Sequence, residues 1–192
     1  MKFSEIFFPE QIFPVRIVTE RLVLRPFAPH DRDSLVENLG NWDVTKWLST
    51  NVPFPYTAKD GEDFISEAII DFKEGRSIRY AIEDRKTGRH LGGIRVFSVT
   101  EETEIGYWTS PAFWGRGLGT ELLHAVVKVG FDTKVIRRFI AQTAADNAPS
   151  RRILEKVGFK HQGAVPAQYN RDGHCDGCSE FYSLTLEEWK NL

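Results

Sequence analysis

Three glycines, Gly115, Gly117 and Gly119, stand at alternate positions just before a run of residues that favour helix formation. A glycine inside a regular element costs roughly 0.5 to 1 kcal/mol relative to alanine, so this spacing is unfavourable unless bare backbone is needed. A helix begins with unpaired N–H groups and a partial positive charge, and both favour an anion. We therefore interpret Gly115–Thr120 as a phosphate-binding turn, to which Arg116 can add charge from the side.

Two other interpretations use the same glycines. The plain one is a turn that lets a strand approach a helix closely, without any ligand. The other is a nucleotide motif, but a dinucleotide fingerprint requires glycine where Thr120 stands, and a Walker loop requires Lys followed by Ser or Thr. A pyridine-nucleotide enzyme would also need an acidic residue after the strand predicted over Val135–Gln142, where Thr143 stands instead.

Length and composition fit a single domain over residues 1–192, with residues 1–16 as an N-terminal arm packed on it. A hydrophobic content of 41% with 27% charged residues excludes disordered and collagen-like classes. The formal net charge of −2 offers no general attraction to a polyanion, so we expect no nucleic-acid partner. No apolar run approaches the roughly 18 residues that a membrane span needs, so no membrane partner is expected.

The two cysteines, Cys175 and Cys178, are too few for a disulfide scaffold. This favours a reducing cytoplasm as the compartment. His161 and His174 lie nearby in the sequence, which would allow a zinc site, but a second ligand pair at the usual spacing is missing. We therefore expect no metal.

The hydrophobic pattern predicts an alternation of strands and helices. A strand is expected over Arg16–Phe27, and Thr57 with Asp60 forms a capping-box pattern for a helix that ends at Gly75. The other predicted elements are helices over 31–39, 43–48, 118–130 and 147–157, strands over 78–84, 90–99, 102–109, 135–142, from 159 and over 181–186, and turns at 86–88 and 171–173. Such a mixture indicates an α/β or α+β domain, with one sheet covered by helices on both faces.

Four segments of the chain resemble one family. They are TERLVLRPF (Thr19–Phe27), EIGYW (Glu104–Trp108), SPAFWGRGLGTELL (Ser110–Leu123) and NAPSRRILEKVGF (Asn147–Phe159). Together they resemble the GNAT acetyltransferase superfamily, and within it the RimJ/RimL-type branch, whose members acetylate the N-terminal amines of ribosomal proteins or other amines. The resemblance implies a GNAT-like α/β domain with a mixed, mostly antiparallel sheet of about seven strands. Trp114 departs from the superfamily, where Gln or Arg is usual, although tryptophan there is similar to the branch.

The resemblance also implies acetyl-CoA as the donor and a set of residues that bind it. The pyrophosphate would lie at the glycine turn, and the pantetheine arm along the strand before it and at Asn147. The adjacent Arg151 and Arg152 are candidates to approach the 3′-phosphate, although the plain interpretation is that one of them lies on a solvated helix face. Ser150 would protonate the leaving thiolate. The cofactor residues expected in this way are Tyr107, Trp108, Thr109, Trp114, Gly115, Arg116, Gly117, Leu118, Gly119, Thr120, Asn147, Ser150 and Arg152.

Glu104 is the candidate base. Strand alternation places it on one face with Glu102, Gly106 and Trp108, two pleats from the expected thioester and close enough to act through one water. Carboxylates on this strand are proposed as bases in the resembled branch. The plain alternative is that Glu102 and Glu104 lie on an exposed hairpin edge. A backbone N–H near Tyr107 or Trp108 is expected to hold the thioester carbonyl.

For two further groups of residues, a purely structural role is an alternative to a role in binding. Asn147 has the residue type that begins a helix, and Pro149 fits its first turn, so a plain capping role competes with cofactor binding. Tyr56 and Trp47 are candidates for the acceptor wall, although aromatic residues are more often core.

The predicted function is direct transfer of an acetyl group to a primary amine by a monomer or homodimer. An α-amine has a pKa of about 8 and lysine of about 10.4, so a protein N-terminal α-amine is the easier acceptor to deprotonate. The alternative function is a non-catalytic acyl-CoA-binding sensor or interaction module on the same fold.

Overall fold

The computed structural model describes residues 13–166, Arg171 and residues 178–192. Most of the expected N-terminal arm, together with His174, Cys175 and the end of the turn predicted at 171–173, lies outside these residues. The described elements are β1 (Ile17–Val18), β2 (Leu22–Pro26), α1 (Arg32–Leu39), α2 (Trp42–Thr45), α3 (Ala58–Glu74), β3 (Ile78–Asp84), β4 (His90–Val96), β5 (Glu102–Thr109), α4 (Leu118–Asp132), β6 (Arg138–Ala144), α5 (Ala148–Val157), β7 (Lys160–Pro166), β8 (Cys178–Thr185) and α6 (Leu186–Lys190).

The strands form one sheet in the order β1-β2-β3-β4-β5-β6-β8-β7. Of the neighbouring pairs, β5 with β6 is parallel and the others are antiparallel. The predicted mixed, mostly antiparallel sheet is confirmed, with eight strands rather than about seven. The strand predicted over Arg16–Phe27 was wrong as a single element: the Thr19 amide donates to the Leu22 carbonyl at 2.9 Å and closes a turn between β1 and β2.

Helices cover both faces of the sheet, as predicted. Tyr80 and Ile82 of β3 belong to a large apolar cluster with Leu122 of α4. Ala81, between them, belongs to a second cluster with Leu35 of α1 and with residues of α3. Because successive side chains of a strand point to opposite faces, α4 lies on one face, and α1 and α3 lie on the other.

Local sequence signals predicted the helix ends better than the strand ends. The Thr57 amide donates to the Asp60 carboxylate at 2.8 Å, which confirms the capping box at the start of α3. Gly75 and Gly158 end α3 and α5 with φ of 66° and 102°. By contrast, the strand predicted over 135–142 was displaced, because the Val135 amide donates to the Thr133 hydroxyl in the turn after α4, and β6 begins at Arg138.

The boundaries of two other predicted strands also moved, and the helix predicted over 43–48 is α2 over Trp42–Thr45. The strand predicted over 90–99 ends at Val96. The last strand, predicted over 181–186, is β8 over Cys178–Thr185, because all of β6 pairs with it. In the described ranges, no helix is long and apolar enough to cross a membrane.

Candidate active site

The sheet is interrupted between β5 and β6. The two strands pair only where Glu102–Glu104 lies beside Arg138–Ile140. Beyond Glu104 they separate, although β5 continues to Thr109 and β6 to Ala144. A cleft of ≈ 770 Å³ opens there, lined by parts of β5 and β6, the start of α5, one side of α3 and the segment between α2 and α3.

The glycine turn directly follows Trp114, which lines this cleft. Gly115 and Gly117 both have φ of 74°, a conformation in which a residue with a side chain is strained, and Gly117 immediately precedes α4. The successive N–H groups from Gly115 to Thr120 donate to no acceptor in the described part of the chain. Bare, convergent donors at a helix start are what an anion such as pyrophosphate requires.

The third glycine serves a different purpose. A Cβ on Gly119 would lie 2.7 Å from Cδ1 of Ile153, so the missing side chain lets α4 and α5 approach closely. The plain interpretation of a close-packing glycine therefore fits Gly119, whereas the conformational argument fits Gly115 and Gly117.

Sequence reasoning missed the group that holds the turn in place. The Glu121 carboxylate accepts hydrogen bonds from the Thr19 hydroxyl at 2.6 Å and from the Arg21 amide at 2.8 Å. Arg21 pairs with the same carboxylate through Nε and donates through Nη1 to the Arg116 carbonyl at 2.8 Å. An acidic residue in the first turn of a helix is common, so no signal in the sequence pointed to this distant partner.

Backbone hydrogen bonds along β5 decide which amide faces the gap. The Phe97 amide donates to the Glu104 carbonyl, and the Ser110 amide donates to the Leu91 carbonyl. Antiparallel pairs alternate between bonded and non-bonded, so Trp108 exchanges backbone bonds with Gly93, and Tyr107 directs its backbone groups away from β4. Of the two amides considered for the thioester carbonyl, that of Tyr107 is the better placed.

Tyr107 also contributes its side chain. Its hydroxyl lies 3.3 Å from Oγ of Ser150, at the start of α5, and burial raises the pKa of Tyr107 to about 12. The phenol is therefore protonated at neutral pH and can share a proton with Ser150. Sequence reasoning named Tyr107 only for its place on the strand and did not foresee this pair.

Asn147 caps α5, because its Oδ1 accepts from the Ser150 amide at 3.2 Å. Its capping role is therefore observed. Asn147 also lines the cleft, as do Ser150, Trp108, Thr109 and Trp114. Trp114 fixes the end of β5 against the glycine turn by donating from Nε1 to the Thr109 carbonyl at 2.9 Å.

The two candidate carboxylates of β5 have different surroundings. Glu104 is partly buried and lines the cleft at the point where β5 leaves β6. Glu102 is exposed, lies outside the cleft and pairs with Arg138 at 2.9 Å. The interpretation as an exposed edge thus fits Glu102 and not Glu104.

The predicted acceptor residues Trp47 and Tyr56 both line the cleft. Tyr56 is only 7% exposed and belongs to the core cluster under α3, and its hydroxyl donates to the Asp60 carbonyl at 3.3 Å. It therefore forms part of the rigid wall.

The two arginines at the start of α5 also differ. Arg151 donates to the Tyr182 hydroxyl and the Ala145 carbonyl. Arg152 is exposed on the helix and does not line the cleft. Among the described residues, no group of three or more His, Cys, Asp or Glu side chains could hold a metal.

Comparison with known proteins assigns the family. A model described as an acetyltransferase (GNAT) domain matches residues 21–160. An uncharacterized N-acetyltransferase, YoaA of Bacillus subtilis, is 28% identical over 165 residues, which cover 84% of this chain and 92% of that protein. The ribosomal-protein-serine acetyltransferase of Escherichia coli is 24% identical over 136 residues, covering 68% and 75% of the two chains. The structure of Mycobacterium smegmatis RimJ in complex with CoA-disulfide superposes with a TM-score of 0.76 at 22% identity, covering 87% of this chain and 83% of that one.

The fold and the cleft thus define an acyltransferase of the GNAT class. The chain belongs to the GNAT acetyltransferase family, and its relatives include RimJ/RimL-type ribosomal-protein acetyltransferases. The prediction of an acetyl-CoA-dependent N-acetyltransferase is confirmed at this level, and a sensor without catalysis is not favoured.

Proposed function

We propose that this protein acetylates an α-amine, such as a protein N-terminus, by direct transfer within the cleft between β5 and β6. The observation that carries the proposal is the row of amides from Gly115 to Thr120, which donate to no acceptor among the described residues and directly follow Trp114 in the wall of that cleft. Acetyl-CoA supplies the acetyl group as a thioester. The free amides suit its pyrophosphate, Asn147 and the backbone of Tyr107 suit the pantetheine arm, and the exposed Arg152 suits the 3′-phosphate.

The residues at the inner end of the cleft fit the remaining steps. Glu104 takes the proton of the amine through one water, which leaves a neutral nucleophile. The Tyr107 amide donates to the carbonyl oxygen as negative charge develops on it. The new C–N bond forms as the C–S bond breaks, Ser150 donates its proton to the thiolate, and the Tyr107 hydroxyl returns a proton to Ser150. The second proton of the former amine nitrogen leaves as the amide forms and restores the Tyr107 hydroxyl, so the net products are the amide, the CoA thiol and the one proton taken by Glu104.

The compartment and the acceptor follow from the same chemistry. The E. coli relative is named for the acetylation of serine in a ribosomal protein, which favours a protein as the acceptor class. Cytoplasmic residence agrees with such an acceptor and with the low cysteine content of the chain.

The test uses the purified protein with acetyl-CoA and peptides that begin with Ser or Ala. Product is followed by release of the CoA thiol and by the mass of the acetylated peptide. We expect turnover, and we expect Glu104→Gln to lower kcat by about 10²- to 10⁴-fold with little change in acetyl-CoA affinity.

Glu102→Gln is the matched control, since Glu102 lies on the same strand but outside the cleft. Equal effects of the two substitutions would remove Glu104 from the mechanism. Binding of acetyl-CoA without turnover of any amine would instead support the sensor.

A further inference from the structure

Arg95 is a cleft residue that the mechanism above does not use. It lies on β4 directly opposite Gly106 of β5 and lines the part of the cleft away from the glycine turn. Its guanidinium lies over the ring of Phe97, 4.4 Å from the centroid. In the described part of the chain it has no hydrogen-bond acceptor and no ion-pair partner, and its Nε is buried and unsatisfied.

The neighbouring arginine shows what Arg95 lacks. Arg79, beside it on β3, donates to Glu67 at 2.6 Å and to Asp71 at 2.9 Å, so its charge is compensated. Burial and then the charge of Arg79 lower the pKa of Arg95, and the surrounding carboxylates Asp71, Glu67 and Glu104 offset this only in part. The result is a partly buried guanidinium in the wall of a ligand-sized cleft, with no hydrogen-bonded carboxylate among the described residues.

Gly106 leaves room beside this cation. It stands between Glu104 and Trp108 on the face of β5 that carries both, and has no side chain to fill the cleft. A Cβ there would already lie 3.4 Å from the ring of Phe97. Diagonal neighbours on paired strands are about 7–8 Å apart at their Cα atoms, so Glu104 and Arg95 lie about that far apart, with Gly106 and the ring of Phe97 between them.

We propose that the acceptor bears an acidic group, a carboxylate or a phosphate, a few bonds from the amine it presents, and that Arg95 binds this group while the amine lies toward Glu104. The planar guanidinium fork matches either oxyanion through two parallel hydrogen bonds. An acidic group here also supplies the countercharge that Arg95 lacks. The inference rests on the proposed function, since it names the class of amine that the same site acetylates.

The experiment compares acceptors that differ only in the acidic group. The pairs are Ser-Glu- with Ser-Gln-peptides, Ser-Asp- with Ser-Asn-peptides, and free amino acids with their amides. O-phosphoethanolamine and β-alanine distinguish phosphate from carboxylate. For the wild type we expect kcat/KM to be about 10- to 100-fold higher for the preferred acid than for its neutral partner, the range of a charge-assisted hydrogen bond.

Arg95→Gln should abolish this preference by lowering kcat/KM for the acids while leaving the neutral partners within about threefold, and Arg95→Lys should retain part of it. Arg138→Gln is the matched control, because Arg138 also lies on a strand with a buried, unsatisfied Nε but outside the cleft. Direct binding of acetyl-CoA to each variant shows that the fold is intact.

The outcomes separate this inference from the proposed function. Turnover of amines with no preference for acids, or with the same preference in Arg95→Gln, overturns the role of Arg95 and leaves the acetyltransferase intact. Failure of every amine, acidic and neutral, overturns both.

Discussion

Gly117 and Gly88 have the same backbone conformation in two unrelated turns. Their φ angles are 74° and 70°, and a Cβ would meet no atom closer than 3.7 Å at Gly117 and none within 4 Å at Gly88. Neither glycine is thus needed to avoid a clash within the protein. Only Gly117 belongs to the row of free amides at the start of α4.

A pair of alanine substitutions therefore separates folding from ligand binding. Gly117→Ala and Gly88→Ala should each lower the free energy of unfolding by about 1 kcal/mol, because a left-handed residue with a side chain is strained. Gly117→Ala alone should weaken acetyl-CoA binding, by about tenfold, through displacement of the amides. Urea titration and calorimetry measure the two quantities. Equal dissociation constants for the two variants would place the pyrophosphate elsewhere.

The position of a single residue in the fold could be predicted from the sequence where a short-range pattern determines it. Strand alternation was enough to put Glu104 on one face of β5, and the residue types at Asn147 and Pro149 were enough to begin α5. The ion pair of Arg21 with Glu121, and the lack of a hydrogen-bonded carboxylate at Arg95 among the described residues, depend on residues far apart in the chain. No local pattern encodes them.

At the scale of elements, the start of α5 combines a structural and a binding role in one side chain. Oδ1 of Asn147 caps the helix, while the side chain also lines the cleft. The two roles use different atoms, since the cap needs an acceptor and a pantetheine carbonyl needs the Nδ2 donor.

Two substitutions at Asn147 separate these roles. Asn147→Ala should lower the free energy of unfolding by about 1 kcal/mol and also raise the KM for acetyl-CoA, because both atoms are lost. Asn147→Asp keeps an acceptor at the helix start, so stability should be retained while the KM still rises. Thermal unfolding and steady-state kinetics measure both effects. An unchanged KM in Asn147→Asp would leave this residue with the cap alone.

Some helices and strands have ends that are set by neighbouring residues in the sequence, whereas others have ends that are set by a distant partner strand. Thr57 with Asp60, and the glycines at 75 and 158, fix helix ends within a few residues, and these ends were predicted correctly. The ends of β6 and β8 are set by each other, since Arg138 pairs with Thr185 and Ala144 with Ser179. The spacing of apolar residues and the secondary-structure propensities of a strand cannot locate such an end when its partner strand is unknown.

For the whole molecule, several carboxylates couple stability to pH. Burial alone would raise the pKa of Asp31 and of Glu121, but hydrogen bonds from Arg25 and Ala28, and from Thr19 and Arg21, outweigh it and lower both. Hydrogen bonds from the Thr185 backbone and from Lys160 lower the pKa of Glu188 to about 2.

A carboxylate with a lowered pKa in the folded state stabilises that state above its ordinary pKa. Burial lowers the pKa of His90 below its ordinary value of 6.5, so the unfolded chain binds a proton there first. We therefore expect the free energy of unfolding to begin to fall below about pH 6.5 and to fall further as the pH drops from about 4.5 toward 2. Urea titrations across this range measure the slope.

Glu188→Gln should make that decline shallower, because the variant no longer binds a proton on unfolding. The exposed neighbour Glu187 provides the matched control. If Glu187→Gln flattened the slope equally, the hydrogen bonds at Glu188 would not be the cause.

The sequence predicted the fold class correctly but did not predict the order of the strands in the sheet. The hydrophobic pattern and the resemblance of four segments predicted a mixed sheet with helices on both faces. They did not predict that β8 would lie between β6 and β7, because the return of the chain is decided by pairing between distant residues. The cleft exists because β5 and β6 stop pairing after Glu104. No sequence pattern within either strand indicates where that pairing stops.

The parting of β5 from β6 has a consequence for what the protein can hold. Exposed strand edges can pair with strands of other chains, but these two edges face each other across a narrow gap, where the edge of a folded sheet from another protein has no room to pair. A ligand in that gap must be narrow and extended. It also needs amide-like groups along its length that form hydrogen bonds with the unpaired backbone groups of β5 and β6. The width of the gap between β5 and β6 thus helps to select acetyl-CoA, in addition to the charge around the gap.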